Sequence, residues 1–139
     1  LILLDLGRFE EARADFRAAA DKLKEYVRPR TNLGVLEMRL AAQDLRSIPE
    51  TSHPERADAL RESASRHRVE ALRWLGETLA IDPGNARARL NRAEVFANLP
   101  PVDLEAAESE LDLALQADRD YARAKELLER VRAARGGGK

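Results

Sequence analysis

Apolar residues recur along this chain at intervals of three and four, and no segment alternates apolar with polar in the manner of a half-buried strand. The pattern predicts an all-α fold. Its breaks fall at Gly7, at Pro29, at "SIPETSHP" (47–54), at "DPGN" (82–85), at "NLPPVD" (98–103), at "ADRD" (117–120) and at the terminal "GGGK". Helices are expected at about 9–25, 28–47, 54–81, 86–98, 103–117 and 121–135. Ser52 and Glu55 have capping-box spacing, Pro54 suits a first helical turn, and Asn85, Asp103 and Asp120 are residue types that cap helix N-termini.

Two of these segments repeat at an offset of 36 residues: Ala71, Leu75, Leu79 and Asp82 match Ala107, Leu111, Leu115 and Asp118, and Ala86-Arg87-Ala88 matches Ala122-Arg123-Ala124. The stretch "LGRFEEARADFRAAA" belongs to the same series, with Ala12, Phe16 and Ala19 at the places of Ala71, Leu75 and Thr78 and of Ala107, Leu111 and Ala114. Phe16, Leu75 and Leu111 are thus expected as buried equivalents. On these residues the chain resembles the tetratricopeptide repeat (TPR) family, whose repeat of about 34 residues is a pair of antiparallel helices. "TNLG" (31–34) resembles that family's small-residue start of the first helix, and "AIDPGN" its inter-repeat turn. The chain departs from that pattern at Thr78, where alanine is usual, at Arg119, which stands where the preceding turn has Pro83, and at Ala93 in place of glycine. The resemblance implies an α-α superhelix, a right-handed helical solenoid.

Ala12 to Ala71 is 59 residues, about 25 more than one period of about 34. The excess lies between Leu40 and His67 and stays helical on both sides of "SIPETSHP". Split over two antiparallel helices it adds about 12 residues, or about 18 Å, to each, which predicts a helical hairpin projecting from the second repeat. Ala57, Leu60, Ala64, His67, Ala71, Trp74 and Thr78 alternate in steps of three and four as its seam, with Leu36, Leu40, Leu45 and Ile48 facing them.

"LILLDL" reads as the last turns of a helix whose beginning lies upstream, with Gly7 in the following turn, so the chain is expected to be a piece of a longer array. "ARAKELLERVRAAR" reads as a closing helix with a polar outer face. The resulting division is one domain over 1–135, comprising a truncated first repeat (1–26), a second repeat (27–85) with an insertion at about 42–66, a third repeat (86–120) and a capping helix (121–135), followed by a flexible tail (136–139).

Composition narrows the function. The chain of 139 residues is 44% hydrophobic but only 4% aromatic, so its core must be Leu and Ala, which favours closely packed helices. Charged residues make up 35% yet sum to −1, and no net field draws the chain to nucleic acid or to an anionic membrane. No run approaches the length of a membrane span. The absence of cysteine excludes disulfides and thiolate metal sites and leaves the compartment open, with the cytoplasm favoured. Arginine far outnumbers lysine, which together with the alanine content points to a GC-rich prokaryotic genome.

No convergent set of reactive groups is legible, so no catalysis and no cofactor are expected. His67 and Glu70 have the spacing of two metal ligands but lack a third, and His67 reads instead as a seam residue with a solvated edge. "GGGK" lacks the spacing of a phosphate-binding loop, and Trp74 lies on an apolar stripe as a packing residue.

The TPR resemblance implies a concave face lined by the first helix of each repeat, where an asparagine often contacts the backbone of an extended peptide. Asn32 and Asn91 hold that place, each four residues after an arginine, Arg28 and Arg87. Arg28, Asn32, Val35 and Arg39 form one strip and Arg87, Asn91, Glu94 and Asn98 the next; Arg123 continues the series, with Leu127 in the asparagine's place. The Arg and Asn ladder resembles in part the carboxylate-clamp members of the family. It implies a protein or peptide partner carrying acidic groups or a C-terminal carboxylate, held by guanidinium forks and amide groups. Self-association through the truncated N-terminal helix is a further expectation. The functional alternatives are a free scaffold and a non-catalytic regulatory or scaffolding segment of a larger enzyme or of a secretion or assembly machine.

Overall fold

The computed structural model describes residues 6–22, 27–50 and 53–136. These form six α-helices: α1 (Leu6–Lys22), α2 (Val27–Ser47), α3 (Pro54–Ile81), α4 (Ala86–Asn98), α5 (Leu104–Ala117) and α6 (Ala122–Ala134), with a short 3-10 turn, Ile48–Glu50, after α2. The described residues contain no strand, as the three-and-four spacing requires. Each helix packs on the next in sequence, and α2 also touches α4, as α4 touches α6.

Local signals account for most boundaries. Asn85 caps α4 by accepting from the Ala88 N–H (2.9 Å), and Asp103 caps α5 by accepting from the Ala106 N–H (3.0 Å). One expected cap does not form, and another falls outside the described residues. The N-cap of α6 is Tyr121, one residue beyond Asp120, and Asp118 closes the preceding turn by accepting from the Asp120 N–H (3.2 Å). The N-cap of α3 is His53, whose side chain does not cap, and Pro54 opens the helix as expected; Ser52 lies outside the described residues. Gly7 is not in a turn: α1 already begins at Leu6. The "LILLDL" reading falls largely outside the described residues, as do the last three residues of the tail.

The extra length of the second helix pair is present but unequally shared. α2 has 21 residues against 13 in α4, and α3 has 28 against 14 in α5. Along α3 the seam positions Ala64, Ala71, Trp74 and Thr78 are buried and Ala57, Leu60 and His67 half-buried, as their spacing predicts. Of the facing set, Leu45 meets α3 as expected, but two residues do not. Leu36 and Leu40 turn toward α1, clustering with Ala12 and Phe16, while Met38, Ala41, Ala42 and Leu45 join Ala64, Ala71 and Leu75 of α3. The insertion at 42–66 is also not wholly outside the core, because Ala64 and Leu45 share that cluster with Leu99 at the end of α4.

The repeat seen in the sequence recurs as packing. Leu75 and Leu111 are completely buried, whereas Phe16 is only half-buried. Gly34 lies so close to α3 that an added Cβ would stand 2.7 Å from Leu75 Cγ and 2.9 Å from its Cδ2. At the equivalent place in the next pair, Ala93 and Leu111 belong to one cluster with Leu90, Ala107, Ala114, Leu127 and Leu128. The Thr78 departure has a physical reason. Its hydroxyl donates to the Trp74 carbonyl (3.2 Å) and lies 3.3 Å from the Thr31 hydroxyl, so two polar groups buried at this place satisfy each other. The corresponding residues of the next pair, Leu90 and Ala114, are apolar and buried together.

Leu75→Ala is expected to lower the unfolding free energy by about 2–5 kcal/mol, and Gly34→Ala by about 1–3 kcal/mol through overpacking against the same side chain. Denaturant titration checks both. An unchanged Gly34→Ala variant would show that α2 and α3 are not held at this distance.

Candidate functional site

The residues expected to bind a partner lie on α2 and α4, which are in contact. On α2, Arg28 and Arg39 are exposed and Asn32 and Val35 half-buried; on α4, Arg87 and Asn98 are exposed and Glu94 half-buried. Asn91 differs from the surface role expected of it. It is only 6% exposed, and its Nδ2 has no hydrogen-bond partner. A buried amide without an acceptor costs about 1–3 kcal/mol, and its burial takes Asn91 out of the accessible strip.

Glu94 is a negative group within an otherwise cationic and amide strip. Burial pushes its carboxyl above the ordinary range, against the pull of Arg123 and Arg130. Arg123 Nη2 stands 3.5 Å from Glu94 Oε2, so the arginine that continues the ladder on α6 is already engaged with the strip on α4.

Sequence reading missed the two buried carboxylates. Glu37 is 0% exposed; Arg13 Nη1 of α1 donates to its Oε2 (3.2 Å), and His67 Nδ1 of α3 lies 2.5 Å from its Oε1. A carboxylate only accepts, so His67 must carry its proton on Nδ1 to make that bond. Burial alone would raise the Glu37 carboxyl, but the His67 hydrogen bond and the charge and hydrogen bond of Arg13 outweigh it, and the net shift is downward. Glu110 of α5 is likewise buried and receives Arg89 Nη1 (3.1 Å) and Arg92 Nε (2.9 Å) from α4. The signal was present: Glu37 stands four residues after Leu33 and three before Leu40, and Glu110 three after Ala107 and four before Ala114, each on the apolar stripe of its helix.

His67 and Glu70 do not converge. His67 turns to Glu37, whereas Glu70 pairs with Arg73 (3.1 Å) and Arg17 (3.6 Å). Among the described residues no three His, Asp or Glu side chains are grouped to hold a metal, and no helix is long and apolar enough to cross a membrane. Trp74 is buried with Leu33 against the half-buried Phe16, its indole N–H unpartnered and Arg73 4.4 Å from the ring centroid.

A distinct cavity lies away from the expected strips, lined by Leu45, Arg61, Ala64, Ser65, Leu99, Pro100 and Pro101. None of the eight expected residues contributes to it. No family model, curated protein or solved structure matches the chain.

The Glu37 cluster makes stability depend on pH in a definite direction. A carboxyl lowered from its ordinary 4.5 contributes stability that is complete above that value and is lost as pH falls through the lowered one. Glu37→Gln is expected to destabilise the chain near neutral pH by about 1–3 kcal/mol and to lose less stability on acidification than the parent. Urea titrations above and below the ordinary carboxylate pKa measure both, and parallel losses in parent and variant would remove Glu37 from the account.

Proposed function

We propose that this chain is a non-catalytic interaction module of the TPR kind, a right-handed helical solenoid with a projecting hairpin in its second repeat, which binds an extended acidic peptide across α2 and α4. The recurrence of α3 packing features in α5 and the direct contacts of α2 with α4 and of α4 with α6 support the solenoid reading. The observation that carries the binding reading is the set Arg28, Arg39 and Arg87, exposed on two helices that are in contact. The acidic side chains of an extended peptide suit these guanidinium groups, and its backbone amides suit the half-buried Asn32 and the exposed Asn98.

Charge reversal at Arg28 and Arg87 together should weaken an acidic peptide by more than about 1 kcal/mol, with a larger effect at low salt. The measurement is selection from a randomised peptide display library followed by anisotropy titration of the selected sequences. Selected peptides that are not acidic, or whose affinity survives both arginine reversals, would move the site elsewhere.

A further inference from the structure

The cavity set apart from these strips has a volume of about 430 Å³ and opens where the lengthened α2–α3 pair meets the connection from α4 to α5. Ala64 and Leu99 are buried and Leu45 half-buried at its floor; Arg61, Ser65, Pro100 and Pro101 are exposed at its rim. The wall is held in place. Arg68 donates from Nε to the Leu99 carbonyl (3.1 Å) and from Nη2 to the Pro101 carbonyl (2.9 Å), while its guanidinium stands 5.7 Å from the centroid of the Phe96 ring.

The hydrogen-bonding inventory of the lining selects the ligand. Pro100 and Pro101 have no N–H, the Leu99 N–H is committed to the Val95 carbonyl (3.0 Å), and the N–H groups of Leu45, Arg61, Ala64 and Ser65 lie inside helices. The donors left are the Arg61 guanidinium and the Ser65 hydroxyl, one turn apart on the same face of α3. No carboxylate lines the cavity. Arg61 Nη1 does reach Asp58 Oδ1 (2.9 Å), but both side chains are largely exposed, and such a surface pair yields readily to a competing carboxylate.

We propose that this cavity binds an apolar group bearing a single carboxylate, with the apolar body against Leu45, Ala64, Leu99 and the two prolines and the carboxylate on Arg61 and Ser65. Its volume lies at the lower end of the range for small-ligand sites, about 300–1,000 Å³, which suits one aromatic or branched body with a short linker. A free amphiphilic acid and the C-terminal residue of a peptide present this same chemistry. The site shares no residue with the α2 and α4 strips and does not depend on them.

The test is methyl-resolved NMR of the whole chain titrated with 4-phenylbutyrate, with 4-phenylbutylamine, and with a short peptide ending in phenylalanine, its C-terminus free or amidated. Phenylbutyrate is expected to shift the methyl resonances of Ala64, Leu99 and Leu45 and to bind about tenfold more tightly than the amine. Arg61→Gln should weaken it about fivefold, the upper range for an exposed ion pair, with no change in melting temperature. Ser65→Trp, which fills the rim, should abolish the shifts. Binding of the free-acid peptide but not the amidated one identifies a peptide terminus as a source, and binding of phenylbutyrate alone identifies the free acid. The proposal is overturned by equal binding of acid and amine, by shifts that survive Ser65→Trp in a folded chain, or by no methyl shift with any probe at millimolar concentration.

Discussion

The distance between α2 and α3 governs the rest of the molecule. Small residues set it: Gly34, Ala41 and Ala42 on α2 meet Ala64 and Ala71 on α3, and Leu75 fills the space that a side chain at 34 would claim. At this separation His67 reaches Glu37 and the hydroxyls of Thr31 and Thr78 come within 3.3 Å of each other. The same cluster continues into Ala88, Val95 and Leu99, so the position of α4 follows from the α2–α3 contact. A chain with few aromatic residues gains its apolar contact through close approach of many small groups rather than through a few large ones.

Polar groups inside that packing fix the register of the helices. Each successive pair solves one position differently: Trp74 of α3 corresponds by the 36-residue offset to Glu110 of α5, and an indole under Arg73 gives way to a carboxylate held by Arg89 and Arg92. A carboxylate buried without its guanidinium partners would cost several kcal/mol, so sliding α5 along α4 by one turn is penalised far more than it would be for an all-apolar contact. Glu37 has the same effect on three helices at once, since its two oxygens are shared between Arg13 of α1 and His67 of α3.

The helices were legible in the sequence because their spacing is regular and their ends carry Pro54, Asn85 and Asp103, whose effects are local. Expectations that depended on which way a helix turns were less secure. Leu36 and Leu40 satisfy a seam with α3 by spacing alone, yet they cluster with Ala12 and Phe16, because α2 is covered by a helix on each side and a stripe of residues does not say which neighbour it meets. The strips on α2 and α4 were found by periodicity, which locates Arg28 and Arg87 on the surface but cannot distinguish an exposed asparagine from a buried one; Asn91 lies one turn from an exposed arginine and is nonetheless covered. The cavity beside Pro100 was not legible, because its lining comes from three chain segments, around Leu45, Ala64 and Leu99, that only folding brings together.

Arginine supplies the last link between packing and recognition. Several guanidinium groups of this chain serve as internal fasteners: Arg13, Arg89 and Arg92 neutralise buried carboxylates, Arg68 holds the turn after α4 through two carbonyls, and Arg132 of α6 and its C-cap Arg135 meet Glu108 of α5. Planar forks with several donors suit that task, since each can satisfy two acceptors from a neighbouring helix. Arg28, Arg39 and Arg87 are exposed on two touching helices with no carboxylate paired to them among the described residues, but Arg46, Arg56, Arg66, Arg119 and Arg130 are exposed and unpaired with a carboxylate as well. Lack of an internal partner therefore does not by itself select a surface for recognition; what distinguishes the α2 and α4 face is that three such groups lie on two helices in contact, where one extended acidic segment can meet them together.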